Sequence, residues 1–279
     1  MNNSISQADF LNLDRSHPLM NGLVGWWPMQ EGAGLTAFDL SGQGNHGTLT
    51  NMDQTTDWVV GRNGGASLDL DGSDDFIECG DIEETQGIGQ LTLSCWANLN
   101  NPLSKDHCLI SKDDQSNRSW SLVQLGAAGS VDDNLRFILR TTSTYTIDSA
   151  DAAWPNDSEW HHAVAVYDGS NGRVYIDGVQ SGSDTSATGT INSTSNTVKI
   201  GRRSDGFADT DGKIQDVRIW NRALTATEVR QLYLNPWAPL SKKSKTFLTA
   251  SAAGIIYNQR QILLKNKMSI QNSRLLIGK

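Results

Sequence analysis

Short strand-like segments separated by tight turns repeat from residue 22 to about residue 237. In residues 90–98, apolar side chains occupy every second position, which is the period of a β-strand. Those positions are Leu91, Leu93, Cys95 and Ala97. The pattern predicts an all-β fold, a two-sheet antiparallel jelly-roll sandwich. A parallel α/β fold is excluded because the sequence offers no helices that could connect parallel strands.

Three turns in this pattern are specific enough to place. Asp71-Gly-Ser-Asp74 separates the segments 66–70 and 75–79, and it has the composition of a β-hairpin turn. Residues 168–172 predict a second hairpin, and Asp177-Gly178 predicts a further tight turn directly after it. We therefore expect neighbouring segments of the chain to pair as neighbouring strands.

One helix is predicted, and it is short. Thr225 can cap its first turn, and Glu228 stands three residues later, the spacing of a capping box. Val229, Leu232 and Tyr233 follow at helical spacing. The helix therefore comes after the last predicted strand.

Charge is divided unevenly along the chain. The formal net charge is −8, from 23 Lys and Arg against 31 Asp and Glu. Residues 236–279 contain eight of the basic residues and no acidic one, so residues 1–235 carry −16. This division predicts an N-terminal arm (1–20), a jelly-roll domain (21–237) and a basic, β-rich C-terminal tail (238–279).

The basic tail is predicted to bind a partner. Its short apolar pieces alternate with positive charges, a pattern that suits strand addition onto an acidic surface. The candidate contact residues are Lys242, Lys243, Lys245, Arg260, Lys265, Lys267 and Arg274. A solvated tail without a partner is the alternative. Nucleic acid is not expected as the ligand because the charges are thinly spread and the chain is acidic.

The N-terminus and the cysteines indicate the cellular compartment in which we expect the chain. Residues 1–10 show no basic region followed by an apolar one, and no apolar run approaches the length of a membrane span, so we expect neither a secretion signal nor a membrane anchor. An odd count of cysteines, Cys79, Cys95 and Cys108, argues against a disulfide framework. The chain is expected to remain in the cytoplasm, with these cysteines as small core residues.

Three stretches together resemble the laminin-G-like, concanavalin A-like jelly-roll family. They are Gly22-Leu-Val-Gly-Trp-Trp with the Gly-rich segment 39–49, then Glu159-Trp-His-His-Ala-Val-Ala-Val-Tyr-Asp, and finally 212–225 with the helix signal. The resemblance covers roughly 22–237. It implies a two-sheet sandwich whose first and last strands lie side by side.

The segments that flank this domain resemble a subset of such proteins encoded by tailed bacteriophages. They are Ser16-His-Pro-Leu-Met-Asn-Gly and Leu234-Asn-Pro-Trp-Ala-Pro. That resemblance implies a virion structural protein, a capsid decoration or tail-associated component assembled in the host cytoplasm. Its partners would be a capsid or tail protein, or neighbouring copies of itself in a homo-oligomer.

The family resemblance also implies a structural calcium ion near the adjoining ends of the first and last strands. Asp39, Asn45 and Asp216 are the matching positions, and Glu31 is nearby. Carboxylate and carbonyl oxygens from flexible loops are the ligands that calcium prefers. The alternative is that Asp39 and Asn45 form Asx turns without an ion.

Surface aromatic residues make carbohydrate binding the alternative function, as an adhesion module for a cell-surface polysaccharide. The chain has 9 Trp, most of them in predicted strands. Trp120, Trp154, Tyr145 and Phe207 are the candidates for exposed rings on which a surface glycan would stack.

Catalysis is not expected. Glycosidases of related folds use two carboxylates across the scissile bond, and no predicted strand offers a close set of acids. His161 and His162 are adjacent on one strand, so their side chains point to opposite faces. Trp160, His162, Val164 and Val166 share a face that we predict to be the core side, which gives these histidines a packing role.

Overall fold

The computed structural model describes residues 13–114, 116–126, 134–151 and 153–240. They form two antiparallel β-sheets and a few short helices, so the prediction of an all-β sandwich is confirmed. The strands are β1 Leu23–Trp27, β2 Thr36–Ala37, β3 Gly47–Thr50, β4 Trp58–Val60, β5 Ala66–Asp71, β6 Phe76–Glu78, β7 Leu91–Leu99, β8 His107–Lys112, β9 Trp120–Gln124, β10 Leu135–Arg140, β11 Thr144–Asp148, β12 His161–Tyr167, β13 Asn171–Ile176, β14 Val179–Ser186, β15 Lys199–Ile200 and β16 Asp211–Trp220.

Each sheet has eight strands. Sheet I has the order β14-β13-β12-β7-β16-β5-β4, and β1 also pairs with β16. Sheet II has the order β11-β10-β9-β8-β15-β6-β3-β2. The pairing of β1 with β16 confirms that the first and last strands lie side by side.

Strand β16 changes partner halfway along one edge. Its first half, Asp211 to Ile214, pairs with β5, and its second half, Val217 to Trp220, pairs with β1. The register along β7 shifts at the same place, where Asp216 has a φ of 53°. A β-bulge of this kind turns the side chain of the extra residue away from the regular alternation.

The main core lies between the sheets. The alternating residues of β7 point into it as predicted, and Leu122 and Phe137 meet them from sheet II. Cys79, Cys95 and Cys108 are buried and unpaired, which confirms their expected place in the core. Each large apolar side chain buried here contributes roughly 1.5–3 kcal/mol relative to an exposed one.

A second core covers the opposite face of sheet I. Helix α1, Ala226–Leu234, packs there with residues of the segment 13–24 against Trp26, Val164 and Trp220. His162 and Val164 are therefore buried on a core side, as predicted, but they pack in this second core and not in the core between the sheets. Ala163 and Ala165 occupy that core, and the alternate positions are buried because α1 covers them.

The helix begins where the sequence predicts. The Thr225 Oγ1 accepts a hydrogen bond from the Glu228 N–H at 3.2 Å, and a Glu228 carboxylate oxygen accepts one from the Thr225 N–H at 2.8 Å. This reciprocal pair is a capping box and confirms the prediction. None of the described helices has the length and apolar character that a bilayer crossing requires.

The turn at residues 71–74 joins the two sheets and is not a hairpin. Leu68 of β5 pairs with Ile214 in sheet I, whereas Ile77 of β6 pairs with Leu49 in sheet II. The hairpin prediction is wrong here because a tight turn of the same composition also serves to carry a chain across the core. The hairpin at 168–172 and the turn at 177–178 are confirmed by the pairing of β12, β13 and β14.

Candidate ligand-binding site

A groove of about 420 Å³ opens at one end of the sandwich. Three connections meet there: the β5–β6 turn, the β7–β8 connection and the β15–β16 connection. We call it the Phe207 groove. Its lining residues are Gly72, Ser104, Lys105, Asp106, Phe207, Ala208 and Asp209.

Phe207 supplies the aromatic surface of the groove, and its side chain is 46% exposed. The guanidinium carbon of Arg203 lies 4.4 Å from the centre of its ring. Arg203 in turn donates two hydrogen bonds to Asp205, at 2.7 and 2.8 Å, and Asp205 accepts the Phe207 N–H at 3.3 Å. The ring is therefore held by a charged pair beneath it while a large part of it stays in contact with solvent.

The opposite wall is fixed through Lys105. Its ammonium donates to the Gly72 carbonyl at 2.6 Å, which ties the β7–β8 connection to the β5–β6 turn. Gly126 packs against the Lys105 backbone so closely that an added Cβ would lie 2.4 Å from its carbonyl oxygen. The Gly126 N–H also donates to Asp106 at 3.0 Å. This wall is therefore preorganised, which reduces the entropic cost of binding.

Asp209 is the partly buried carboxylate of the groove. Burial raises its pKa, and the nearby Arg202, whose Nε lies 3.2 Å from it, opposes that rise. Asp106 and Ser104 add further oxygen atoms along the same lining. An aromatic face beside carboxylates and a hydroxyl is the combination that recognises a polyhydroxylated ligand, since the polar groups fix its orientation.

Acidic residues also cluster in the neighbouring turn. Asp71, Asp74 and Asp75 have carboxylate oxygens within 4.8 Å of one another. Asp71 accepts the N–H groups of Ser73 and Asp74, and Asp75 accepts the Asp71 N–H. Burial raises the pKa of Asp75 to about 6. These contacts are those of a self-stabilised turn.

Of the four aromatic residues predicted to bind a ligand, Phe207 is the one that lies in the groove. Trp120 is fully buried in the main core, where its Nε1 donates to the Thr85 carbonyl at 3.2 Å. Trp154 is 3% exposed and packs edge-on against His161. The prediction that these two tryptophans are exposed is wrong, because both rings fill the core. Tyr145 is half-buried and packs against the same core.

Each of the predicted calcium ligands already has hydrogen-bond partners in the protein. Asp39 accepts hydrogen bonds from the backbone N–H groups of Trp26, Ser41, Gly44 and Asn45, at 2.8–3.0 Å, and a fifth from the Ser41 hydroxyl at 2.7 Å. Both of its oxygens are thus engaged by protein donors. The contacts match the Asx-turn alternative more closely than an open metal site.

The other three predicted ligands have separate roles. Asp216 binds the Arg218 guanidinium through both oxygens, at 2.8 and 3.0 Å, and accepts the Trp26 Nε1–H at 2.8 Å. The Asn45 amide donates to the Val24 carbonyl at 2.8 Å. Glu31 accepts the Phe38 N–H at 2.7 Å, and burial raises its pKa. Here Arg218 supplies the positive charge that a calcium ion would supply; calcium binding stays a prediction.

The two adjacent histidines are structural. His162 stacks on Trp96 with ring centres 4.9 Å apart, and burial lowers its pKa to about 3. Burial alone would lower the pKa of His161, but its hydrogen bonds with Asp177 and Asp157, at 2.8 and 2.9 Å, raise it overall. The seven basic residues predicted to bind a partner lie outside the described residues.

Lys105, Asp106 and Asp209 were missed by sequence reasoning. Each lies in a connection with no recognisable motif, and their proximity depends on which loops share an end of the sandwich. Strand direction carries that signal: β5, β7 and β15 all run toward the same end, so the connections that follow them meet. Because the turn at 71–74 has the composition of a hairpin, the sequence does not indicate that it connects the two sheets at this end.

Comparison with known proteins supports the concanavalin A-like fold. Residues 71–230, more than half of the 279, match the family model Laminin_G_3, described as the concanavalin A-like lectin/glucanases superfamily. Among curated proteins, none matches the chain.

Solved structures share the architecture at low sequence identity. The binding domain of Paraclostridial Mosquitocidal Protein 1 matches with a TM-score of 0.61 and 17% identity, over 79% of this chain and 53% of that one. Domain 4 of AbnA, a GH43 extracellular arabinanase from Geobacillus stearothermophilus, in complex with arabinotriose, matches with a TM-score of 0.57 and 19% identity. The match covers 76% of this chain and 98% of that one. The botulinum neurotoxin serotype D binding domain matches with a TM-score of 0.58 and 13% identity, over 82% of this chain and 53% of that one. The chain thus spans about half the length of the two toxin domains.

Proposed function

Because the chain belongs to the Laminin_G_3 family of the concanavalin A-like lectin/glucanases superfamily, we propose that it is a non-catalytic carbohydrate-binding domain that holds a glycan in the Phe207 groove. The observation that carries this proposal is the half-exposed Phe207 ring, fixed by Arg203 and facing a groove with carboxylate and hydroxyl groups. The arabinotriose complex of the similar arabinanase domain supports it.

A binding role is favoured over hydrolysis by the partners of the groove carboxylates. Asp106 accepts the Gly126 N–H, and Asp209 lies against Arg202. A retaining or inverting glycosidase needs one carboxyl group free to donate a proton and another free to attack or to activate water. Here one protein partner fixes the position of each carboxylate, so we assign both to ligand orientation.

The proposal is tested by measuring glycan binding to the full chain. Phe207→Ala should weaken binding about tenfold or more, because removing a central aromatic side chain is among the costlier changes at a binding site. Phe38→Ala is the matched control, since Phe38 is 50% exposed and is not among the residues that line the groove. Equal affinities for the two variants on a glycan array and in titration calorimetry would reject the groove as the site.

A narrower proposal is that the domain works on a phage particle. The segregation of charge supports it, since a tail of +8 beside a body of −16 favours attachment to an acidic surface or to neighbouring copies. Mass spectrometry of purified particles made from the genome that encodes the chain should detect its peptides. Their absence would contradict the virion role and leave the carbohydrate-binding proposal intact.

A further inference from the structure

A second depression, of about 330 Å³, lies at the other end of sheet II. Strand β8 has its His107 end beside the Phe207 groove and its Lys112 end beside this depression, which places the two sites about 20 Å apart at the rise of a β-strand. We call it the Arg118–Arg140 pocket. Its lining residues are Ser116, Asn117, Arg118, Arg140, Thr144 and Asn192, all polar or charged.

The backbone around the pocket is tied together by three hydrogen bonds. The Arg140 N–H donates to the Ser119 carbonyl at 2.7 Å, and the Asn192 N–H donates to the Arg140 carbonyl at 2.9 Å. The Ser119 hydroxyl donates to the Asn192 carbonyl, also at 2.9 Å. The two arginines are therefore held on connected segments of fixed geometry, as a preorganised site requires.

The two guanidinium groups are incompletely neutralised. Arg140 donates to the Thr144 hydroxyl at 2.7 Å, a neutral partner, and it takes part in no ion pair within the described residues. Arg118 has a carboxylate partner, Asp113, but the atoms are 3.7 Å apart, against 2.7 Å for Arg136 and Asp148. Burial raises the pKa of Asp113 to about 6, which weakens that pairing further in mildly acidic solution.

Asp114, the acid that follows Asp113 in the sequence, is already engaged. It accepts the Ser116 N–H at 2.8 Å and the Ser116 hydroxyl at 3.0 Å, and it shapes the turn that presents Arg118. Two arginines among amides and hydroxyls on a body of net charge −16 form a local positive site on an otherwise acidic surface. Guanidinium groups bind carboxylates and sulfates with paired N–H donors, and the surrounding amides suit hydroxyl groups.

We propose that the Arg118–Arg140 pocket binds the acidic group of an anionic saccharide, so that the glycan recognised by this domain contains uronic acid residues. This inference rests on the proposed carbohydrate-binding function and specifies the class of the glycan. The pocket contacts the carboxylate, whereas the Phe207 groove contacts an uncharged part of the sugar chain.

The probes are polygalacturonate, alginate and hyaluronate, each compared with its carboxyl-reduced neutral form. The full chain should bind at least one acidic polymer more than tenfold tighter than the reduced form at low salt. This preference should shrink as salt is added, because the charges are partly exposed to solvent. Arg118→Gln and Arg140→Gln should each remove most of it and leave affinity for the reduced polymer unchanged.

Arg230→Gln is the matched control, since it makes the same charge change on the exposed face of α1. Inorganic sulfate, titrated alone, separates a saccharide site from a general anion site. Polymer affinity no greater than sulfate affinity would overturn the proposal, as would equal affinities for the acidic and reduced polymers.

The two proposals fail in different ways. If the reduced polymers bind and Phe207→Ala abolishes that binding, while the arginine variants change nothing, the groove stands and the acidic specificity is wrong. If the arginine variants remove binding and Phe207→Ala does not, the groove is wrong and the pocket stands. Circular dichroism on each variant confirms that it is folded.

Discussion

The Asp39 loop and the Phe207 groove differ in where their polar groups point. In the loop, one carboxylate accepts five hydrogen bonds from its own chain, and both oxygens are engaged. In the groove, an exposed ring and several oxygen atoms face an open volume of about 420 Å³. The loop carries the conspicuous sequence motif, whereas the groove is assembled from residues without one. Polar residues satisfied by the protein itself indicate stability, and those turned toward an open groove indicate a ligand.

The largest effect is expected at Asp39. Asp39→Ala leaves four backbone N–H groups without their acceptor and should lower the free energy of unfolding by about 4 kcal/mol. Urea titration followed by tryptophan fluorescence measures this loss. If calcium stabilises the unmodified protein but not the variant, or if the loss is below about 1 kcal/mol, the structural role of the carboxylate is wrong.

Substitution of the buried Arg218 tests the ion pair that it forms with Asp216 in the same region. Arg218→Met leaves the Asp216 carboxylate buried without its ion pair, and we expect a loss of about 3 kcal/mol. The double variant with Asp216→Asn should recover part of that loss, because the uncompensated charge is gone. A double variant as unstable as the single one would show that packing of the Arg218 side chain over Trp26, and not its charge, is what matters.

Phe207→Ala should lower glycan affinity more than stability, which is the opposite of the expectation for Asp39→Ala. Because the ring is exposed, the unfolding free energy should change by less than about 1 kcal/mol, while glycan affinity falls about tenfold. Paired urea and calorimetric titrations of one preparation measure both quantities. A large loss of stability with unchanged affinity would place Phe207 among the structural residues.

The smallest effect concerns the adjacent histidines. Since the pKa of His161 is raised above 6.5 in the fold, its contribution is fully present below pH 6.5 and is lost as the pH rises through the raised value. His161→Gln should therefore cost about 1 kcal/mol at pH 5.5 and almost nothing at pH 9. His162, with its pKa lowered to about 3, should stay neutral throughout. An NMR titration in which both rings titrate near pH 6.5 would contradict this difference.

The sequence predicts local structure well wherever one element decides it. The alternation in β7 identifies the face that packs in the main core, because side chains on a strand alternate between faces. The capping box at Thr225 fixes the start of α1 through contacts three residues apart. Both features are encoded by neighbouring residues, so they need no knowledge of the rest of the fold.

What depends on distant contacts is predicted less well. The turn at 71–74 has the composition of a hairpin, yet β5 finds its partner in β16 and β6 finds its partner in β3, both far away in sequence. Trp120 follows the polar segment 116–119, which suggests exposure, but its position on β9 turns the ring into the main core. The groove is unpredictable for the same reason, since three separate connections supply its walls.

The first and last described segments of the chain run side by side. Leu13 and Leu240 form a β-bridge, and the Asp14 N–H donates to the Pro239 carbonyl at 2.9 Å. The folded unit therefore begins and ends at neighbouring positions in space. It can be carried within a longer polypeptide as an insertion that barely separates the residues on either side. A short linker between residues 13 and 240 would likewise permit new termini to be opened in an exposed connection without disturbing either sheet.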